Sequence, residues 1–411
     1  MTDLAAGERP SGEELFDRLE AFAAETPDEV GIRLWTDLRG TIVELSRARI
    51  LELAQRGAAA YRARGLGSGD RVLIDLPTSE ALLAALLGAF HAGVWPACVA
   101  PLSHRAGAAA EAEWGALVER LQPALIVSLE ELPAVELPLM AASELLEADP
   151  AGCGARVPAA EMKYVQFSSG STGTPKALVL GMEGIVHNIL GMLHAIPLGR
   201  EDRLVSWLPC YHDMGLFGTV LLSLVGRLTL SLMDPALFAR NPLVWLRQVH
   251  EARGTATVAP PSAYKAMLEF QKRRPVPDLD LSDCRVWLCG AEQVTPELER
   301  SFAEGLADAR AQVDRLYPVY GMSEITLAAT MPPSARPPRV ETVDGLGWVS
   351  VGSPLIGQRM RVVDEAGEGL PDRCLGRDLL ASPCPYRPRR DRGAPTPRRG
   401  GGLGTRAPRL P

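Results

Sequence analysis

A chain of 411 residues can bury more than one core and leaves room for two or three structural units. With 46% hydrophobic and 23% charged residues, its composition is that of an ordinary globular protein, which excludes a disordered or collagen-like chain. A net charge of −7 argues against nucleic acid as a default partner, but the charge is uneven: residues 373–411 hold ten Arg and two Asp, net +8, so the rest carries −15.

The N-terminal MTDLAAGERPSGEELF has acidic residues and no apolar core, so no secretory signal is expected there. Residues 13–25 and 46–64 have amphipathic helical patterns, the second alanine-rich and ending at Gly65. RVLIDLP, after Asp70, reads as a strand. Residues 81–104 contain no Asp, Glu, Lys or Arg, but Gly88, Gly93, Pro96 and Pro101 interrupt the ~20 apolar residues that a membrane span needs. A buried helix over 81–92 and a strand near 94–99 fit better. Strand, helix, strand at this spacing implies a parallel βαβ unit, and the rhythm returns at 124–129 and 162–167. Residues 130–160 carry no recognisable motif.

Residues 164–179, YVQFSSGSTGTPKALV, break from an apolar run into a loop of small and hydroxylated residues closed by Lys176. Gly170 and Gly173 allow backbone N–H groups to converge on an anion. Ser169, Ser171, Thr172 and Thr174 add hydroxyl donors, and Lys176 adds a point charge. The spacing is not that of a Walker loop, since Pro175 and Ala177 fall where the second glycine and the hydroxyl residue belong. A polar turn between two strands is the plainer alternative. Beyond it, a helix over 183–194 carries His187 and His194 on one face, read as packing residues because no acid or Cys completes a metal set.

A second βα series follows through 203–208, 214–224, 227–233, 242–252, 255–259, 262–272, 284–289, 296–307 and 313–319. Residues 357–363 suggest one more strand. Seven cysteines lie scattered at 98, 153, 210, 284, 289, 374 and 384 with no C-x-x-C pair, which favours free thiols in a reducing cytoplasm. From about Asp378 apolar periodicity ends in an Arg/Pro/Gly-rich stretch unable to bury enough surface to offset ordering.

The 164–179 stretch resembles the signature loop of the adenylate-forming, AMP-binding superfamily. WLPCYHDMGLFG at 207–218, VWLCGAEQVTPEL at 286–298 and LYPVYGMSEITLA at 316–328 carry the likeness further, in wording most similar to fatty acyl-AMP ligases and acyl-CoA synthetases. The resemblance covers about 14–376. It implies an α/β fold of two tandem layers with mostly parallel sheets and a small β-barrel-like subdomain, and ATP-dependent activation of a carboxylic acid, expected to be a fatty acid, as acyl-adenylate with release of pyrophosphate. The implied cofactors are ATP and Mg²⁺, and the implied acceptor is the thiol of an acyl carrier protein; an acyl-CoA ligase or a non-catalytic nucleotide-binding remnant remain the alternatives. No nucleic acid and no membrane span are expected.

By the same resemblance the loop with Lys176 serves the β/γ-phosphates, and Glu324 is the Mg²⁺ ligand, since a hard cation takes carboxylate oxygen. Tyr320 lies near adenine, Gly321 and Met322 beside it belong to the nucleotide site, Gly290, Ala291 and Glu292 line the nucleotide pocket, and Ser323 and Thr326 offer hydroxyls near the α-phosphate. His212 takes a positional role beside the acyl carboxylate, because an acid ionised at pH 7 needs no general base; Asp213 alone reads as a helix cap. Val258, Ala259, Ser262, Ala263 and Met322 match acyl-pocket segments. Residues 1–376 are thus expected to form the AMP-binding domain and 377–411 a disordered tail, read as out-of-frame sequence. The ribose-binding Asp, hinge and lysine-bearing C-terminal lid of the family are not found after Gly376, so weak nucleotide binding and impaired adenylation are expected.

Overall fold

The computed structural model describes residues 11–102, 108–129, 137–168, 176–312, 316–332, 340–343, 346–370 and 377–382. The chain opens with α1 (Glu14–Glu25), the strands β1 (Val30–Trp35) and β2 (Ile42–Ser46), and α2 (Arg47–Ala63), whose first turn is capped by the Ser46 hydroxyl accepting from Arg49 N–H at 3.2 Å. The first layer follows: β3 (Arg71–Asp75), α3 (Glu80–Ala92), β4 (Trp95–Cys98), α4 (Ala108–Leu121), β5 (Leu125–Ser128), β6 (Leu139–Ala141) and α5 (Ala142–Glu147). Its four strands pair in the order β4-β3-β5-β6, all parallel.

The charge-free segment 81–104 supplies α3 and β4. Residues 81–92 are all buried, and no described helix is long and apolar enough to cross a membrane. Alanine and glycine let α2 and α3 meet almost backbone to backbone: a Cβ on Gly57 would lie 2.0 Å from Ala84 O, and one on Gly88 2.4 Å from Gly57 C. Tyr61 donates its hydroxyl to Ala85 O across that contact (3.0 Å).

Next come β7 (Lys163–Ser168), β8 (Lys176–Gly181) and α6 (Met182–Ala195). The parallel rhythm expected at 162–167 is not what forms: β7 and β8 are an antiparallel pair with Ser168 opposite Lys176. The physical reason is length, since residues 169–175 are too few for the dozen or so that a parallel crossover requires. Tyr164 is fully buried and its hydroxyl accepts from Cys98 N–H (3.2 Å), tying the hairpin to β4.

The second layer runs through β9 (Arg203–Ser206), α7 (Asp213–Gly215), a π-helical turn (Leu216–Leu221), α8 (Leu222–Gly226), β10 (Thr229–Met233), α9 (Pro235–Arg240), α10 (Leu243–Glu251), β11 (Ala256–Ala259), α11 (Pro261–Arg273), β12 (Val286–Cys289), α12 (Pro296–Gly305) and β13 (Leu316–Pro318). The order β13-β12-β11-β9-β10-β1-β2 is parallel throughout except for β2 at one edge. Trp245, Tyr264, Trp287 and Phe302 form its aromatic core, with Trp245 and Tyr264 edge to face at 5.0 Å.

The expected small β region holds β14 (Tyr320–Gly321), β15 (Ala328–Met331), β16 (Val340–Val343), β17 (Leu346–Val349), β18 (Ser353–Pro354), β19 (Arg359–Val363) and β20 (Arg377–Ala381). They make one three-stranded sheet, β14-β15-β18, and two antiparallel pairs. Residues 377–381, placed in the tail by sequence, pair with β19, Leu380 opposite Met360. The tail expected beyond them, residues 383–411, lies outside the described residues. The stretch 130–160, in which the sequence shows no recognisable motif, contributes β6 and α5.

Candidate functional site

In a parallel sheet the crevice for ligands lies beyond the carboxyl ends of the strands. Here β13, β12, β11 and β9 are neighbours, with Ala259 in register with Cys289 and Cys289 with Pro318. Directly after those ends come YHDMG (after β9), PPSAY (after β11), GAE (after β12) and YGMSE (after β13). Three of the four stretches that resemble one family therefore leave the same edge of one sheet. The fourth, with Ser169, Gly170, Ser171, Thr172, Gly173 and Thr174, lies outside the described residues. Its two stems are described: Lys176 is exposed at the start of β8, and the Gln166 amide of β7 donates to Tyr211 O (3.1 Å), beside His212.

His212 occupies the N-cap of α7, its imidazole exposed beside the Tyr211 ring at 5.4 Å. Asp213 is therefore not the cap but the first helical residue. Its Oδ1 accepts from Met214 N–H (2.7 Å), and its Oδ2 accepts the hydroxyl of Ser323, 110 residues away. Gly215 is required here, since a Cβ would lie 2.1 Å from Pro209 O. Burial pushes the Cys210 thiol well above its usual range, so it stays protonated and is no nucleophile.

The YGMSE turn is tightly folded. Met322 N–H donates to Leu327 O (2.8 Å), residues 323–325 form one 3-10 turn, and a Cβ on Gly321 would sit 1.8 Å from Leu327 O. Thr326 adopts φ 81°, ψ −66°, a strained γ-turn geometry for a β-branched residue. The other side of the turn is clamped by Asn188 of α6, which donates to Ala328 O (2.8 Å) and accepts from Ala328 N–H (3.1 Å). Glu324 is half-buried, and among the described residues its carboxylate has no hydrogen-bond or ion-pair partner. Tyr320, Met322 and Ser323 are half-buried beside it, and Thr326 is buried.

The 290–292 loop is held by packing as much as by any ligand role. A Cβ on Gly290 would meet Val319 Cγ2 at 2.6 Å, and Ala291 sits at φ 70°. The Glu292 carboxylate accepts Ser262 N–H (3.2 Å) and Oγ–H (2.6 Å) at the N-terminus of α11, where the helix dipole favours an anion. Val258, Ala259 and Ala263 belong to the filled aromatic core, while Ser262 is exposed and Met322 half-buried. A cavity of about 20 Å³, lined by Leu76, Leu82, Cys98, Pro209, Cys210 and Tyr211, lies between the layers and is on the scale of a single water. His187 is buried and His194 exposed, and no described group of three or more His, Cys, Asp and Glu could hold a metal ion. Gln166 and Asn188, which help tie the motifs together, escaped the sequence reading, and Asp213 was read there only as a helix cap; their only signal was a position inside or beside a motif.

A fold with parallel layers and a strand-end crevice ringed by these stretches defines a class: the chain belongs to the AMP-binding enzyme family, whose model matches residues 19–386. A Caulobacter vibrioides relative with the provisional name acyl-CoA synthetase is 30% identical over 84% of this chain. The long-chain-fatty-acid–AMP ligase FadD32 of Mycolicibacterium smegmatis is 28% identical over 82% of it. The chain spans 63% and 56% of those two relatives' own lengths. Among solved structures, one from work on fatty acyl-adenylate ligases of E. coli and L. pneumophila superposes with a TM-score of 0.81 at 26% identity, over 90% of this chain and 72% of that one.

Proposed function

We propose that the chain activates a fatty acid as its acyl-adenylate. One acid oxygen attacks the α-phosphorus of ATP, the bond to the β-phosphate bridging oxygen breaks, and pyrophosphate leaves with the electron pair. No proton has to be removed, because the acid is ionised at neutral pH. What carries this reading is the convergence of the YHDMG, GAE and YGMSE segments on one strand-end crevice.

In this reading Lys176 and the residues from Ser169 to Thr174 hold the β/γ-phosphates, Tyr320 to Met322 and residues 290–292 flank the base, and His212 borders the acid. Glu324 fits a Mg²⁺ site: its carboxylate supplies hard oxygen, no protein group competes for it among the described residues, and such ions commonly take one or two carboxylates plus substrate phosphates. Bound there, Mg²⁺ supplies charge neutralisation on the phosphate oxygens. The acceptor we favour is a carrier-protein thiol, the one implied by the resemblance to fatty acyl-AMP ligases; the name of the Caulobacter relative supports CoA as the second reading. Buried free thiols fit a reducing cytoplasm.

Incubation with ATP, Mg²⁺ and saturated fatty acids of graded length, followed by mass spectrometry, should yield acyl-AMP with at least one of them. Nucleotide binding without acyl-AMP from any acid would count against the reading.

A further inference from the structure

We propose that Asp213 is a positioning residue that aims the Glu324 carboxylate, and that Ser323 serves as its anchor rather than as a phosphate donor. The proposal rests on the function argued above.

A serine hydroxyl has a single proton to donate. In this chain the Ser323 proton goes to Asp213 Oδ2, while Oδ1 is occupied by Met214 N–H. Ser323 therefore has only lone pairs left to present, which repel a phosphate oxygen.

The bond also joins two parts of the site. Asp213 follows the exposed His212 at the start of α7, and Ser323 precedes Glu324 in a single 3-10 turn. Thr326, which closes that turn, is strained, a geometry that persists only where surroundings over-determine it. Asn188 fixes the turn's far end at Ala328, and Asp213 fixes its near end. Gly218 completes the contact: a Cβ there would fall 2.9 Å from Leu327 Cδ2, so the Leu327 side chain of the turn rests directly on the helix backbone.

The test uses the full chain and four variants, Asp213→Ala, Asp213→Asn, Ser323→Ala and the Asp213→Ala/Ser323→Ala double. Calorimetry reads the affinity for a non-hydrolysable ATP analogue with and without Mg²⁺. Asp213→Ala and Ser323→Ala should each reduce the Mg²⁺-dependent gain about tenfold and leave Mg²⁺-free affinity within about twofold, tenfold being about 1.4 kcal/mol. The double variant should be no worse than the poorer single, because one bond is being removed twice. Asp213→Asn, which keeps a carbonyl acceptor, should recover to within about threefold.

Independent, multiplying effects of the two single variants, or an unchanged Mg²⁺ gain in Asp213→Ala, would overturn the proposal while leaving the proposed function standing. If the wild-type chain binds no nucleotide at all, the functional reading falls and this one with it. Should Asp213→Ala fail to fold, Ser323→Ala removes the same bond from the other side and decides alone.

Discussion

Thr326 shows how a residue can be named from a motif and still be misjudged in kind. Its hydroxyl was legible in YGMSEIT, but its φ of 81° was not, because nothing in the local sequence demands positive φ of a β-branched residue. The strain predicts a trade: Thr326→Gly should raise the melting temperature, by about 1 kcal/mol of stability, yet lower acyl-AMP formation. A variant that loses both would refute it. Glu324 was legible because it follows the Tyr-Gly-Met-Ser run, whereas the Asp213–Ser323 bond spans 110 residues and leaves no trace in local pattern. Away from the site, His91 is buried, its Nδ1 has no hydrogen-bond partner among the described residues, and burial, with Arg62 and Arg156 nearby, lowers its pKa from 6.5 to about 4. The folded protein keeps it neutral while the unfolded chain protonates it, so stability is lost as pH falls from about 6.5 to about 4. His91→Phe should flatten urea midpoints across that window; an unchanged slope would contradict the assignment.

At the scale of elements, burial and period were the readable signals. The 81–92 segment announced a buried helix because it lacks charge, and α3 is that helix. Its partner was not readable, since pattern does not say which helix a small-residue face meets. The structure answers with Gly57 against Ala84 and Gly88 against Gly57. Gly88→Ala should therefore destabilise by about 1–3 kcal/mol through overpacking, seen as a lower urea midpoint with an unchanged slope. A neutral result would mean that the two helices can separate cheaply. The β7/β8 hairpin was missed for a related reason: a strand of six residues reads the same in a parallel or an antiparallel pair, and only the shortness of 169–175 distinguishes them.

For the whole molecule, two α/β layers were legible from the alternation of strands and helices, and the sheet orders were not. The order of the second sheet matters most, because it sets β13, β12, β11 and β9 side by side and so gathers segments from 207 to 326 at one edge. Gln166 then brings the hairpin that bears Lys176 to the same place. The site is thus a product of topology, with each motif supplying one wall. The most direct test of this account is fatty-acid-dependent exchange of pyrophosphate into ATP by the wild-type chain and by Glu324→Gln. The account predicts exchange that requires both the acid and Mg²⁺ and falls roughly 10²-fold in the variant; exchange undiminished in Glu324→Gln would contradict it.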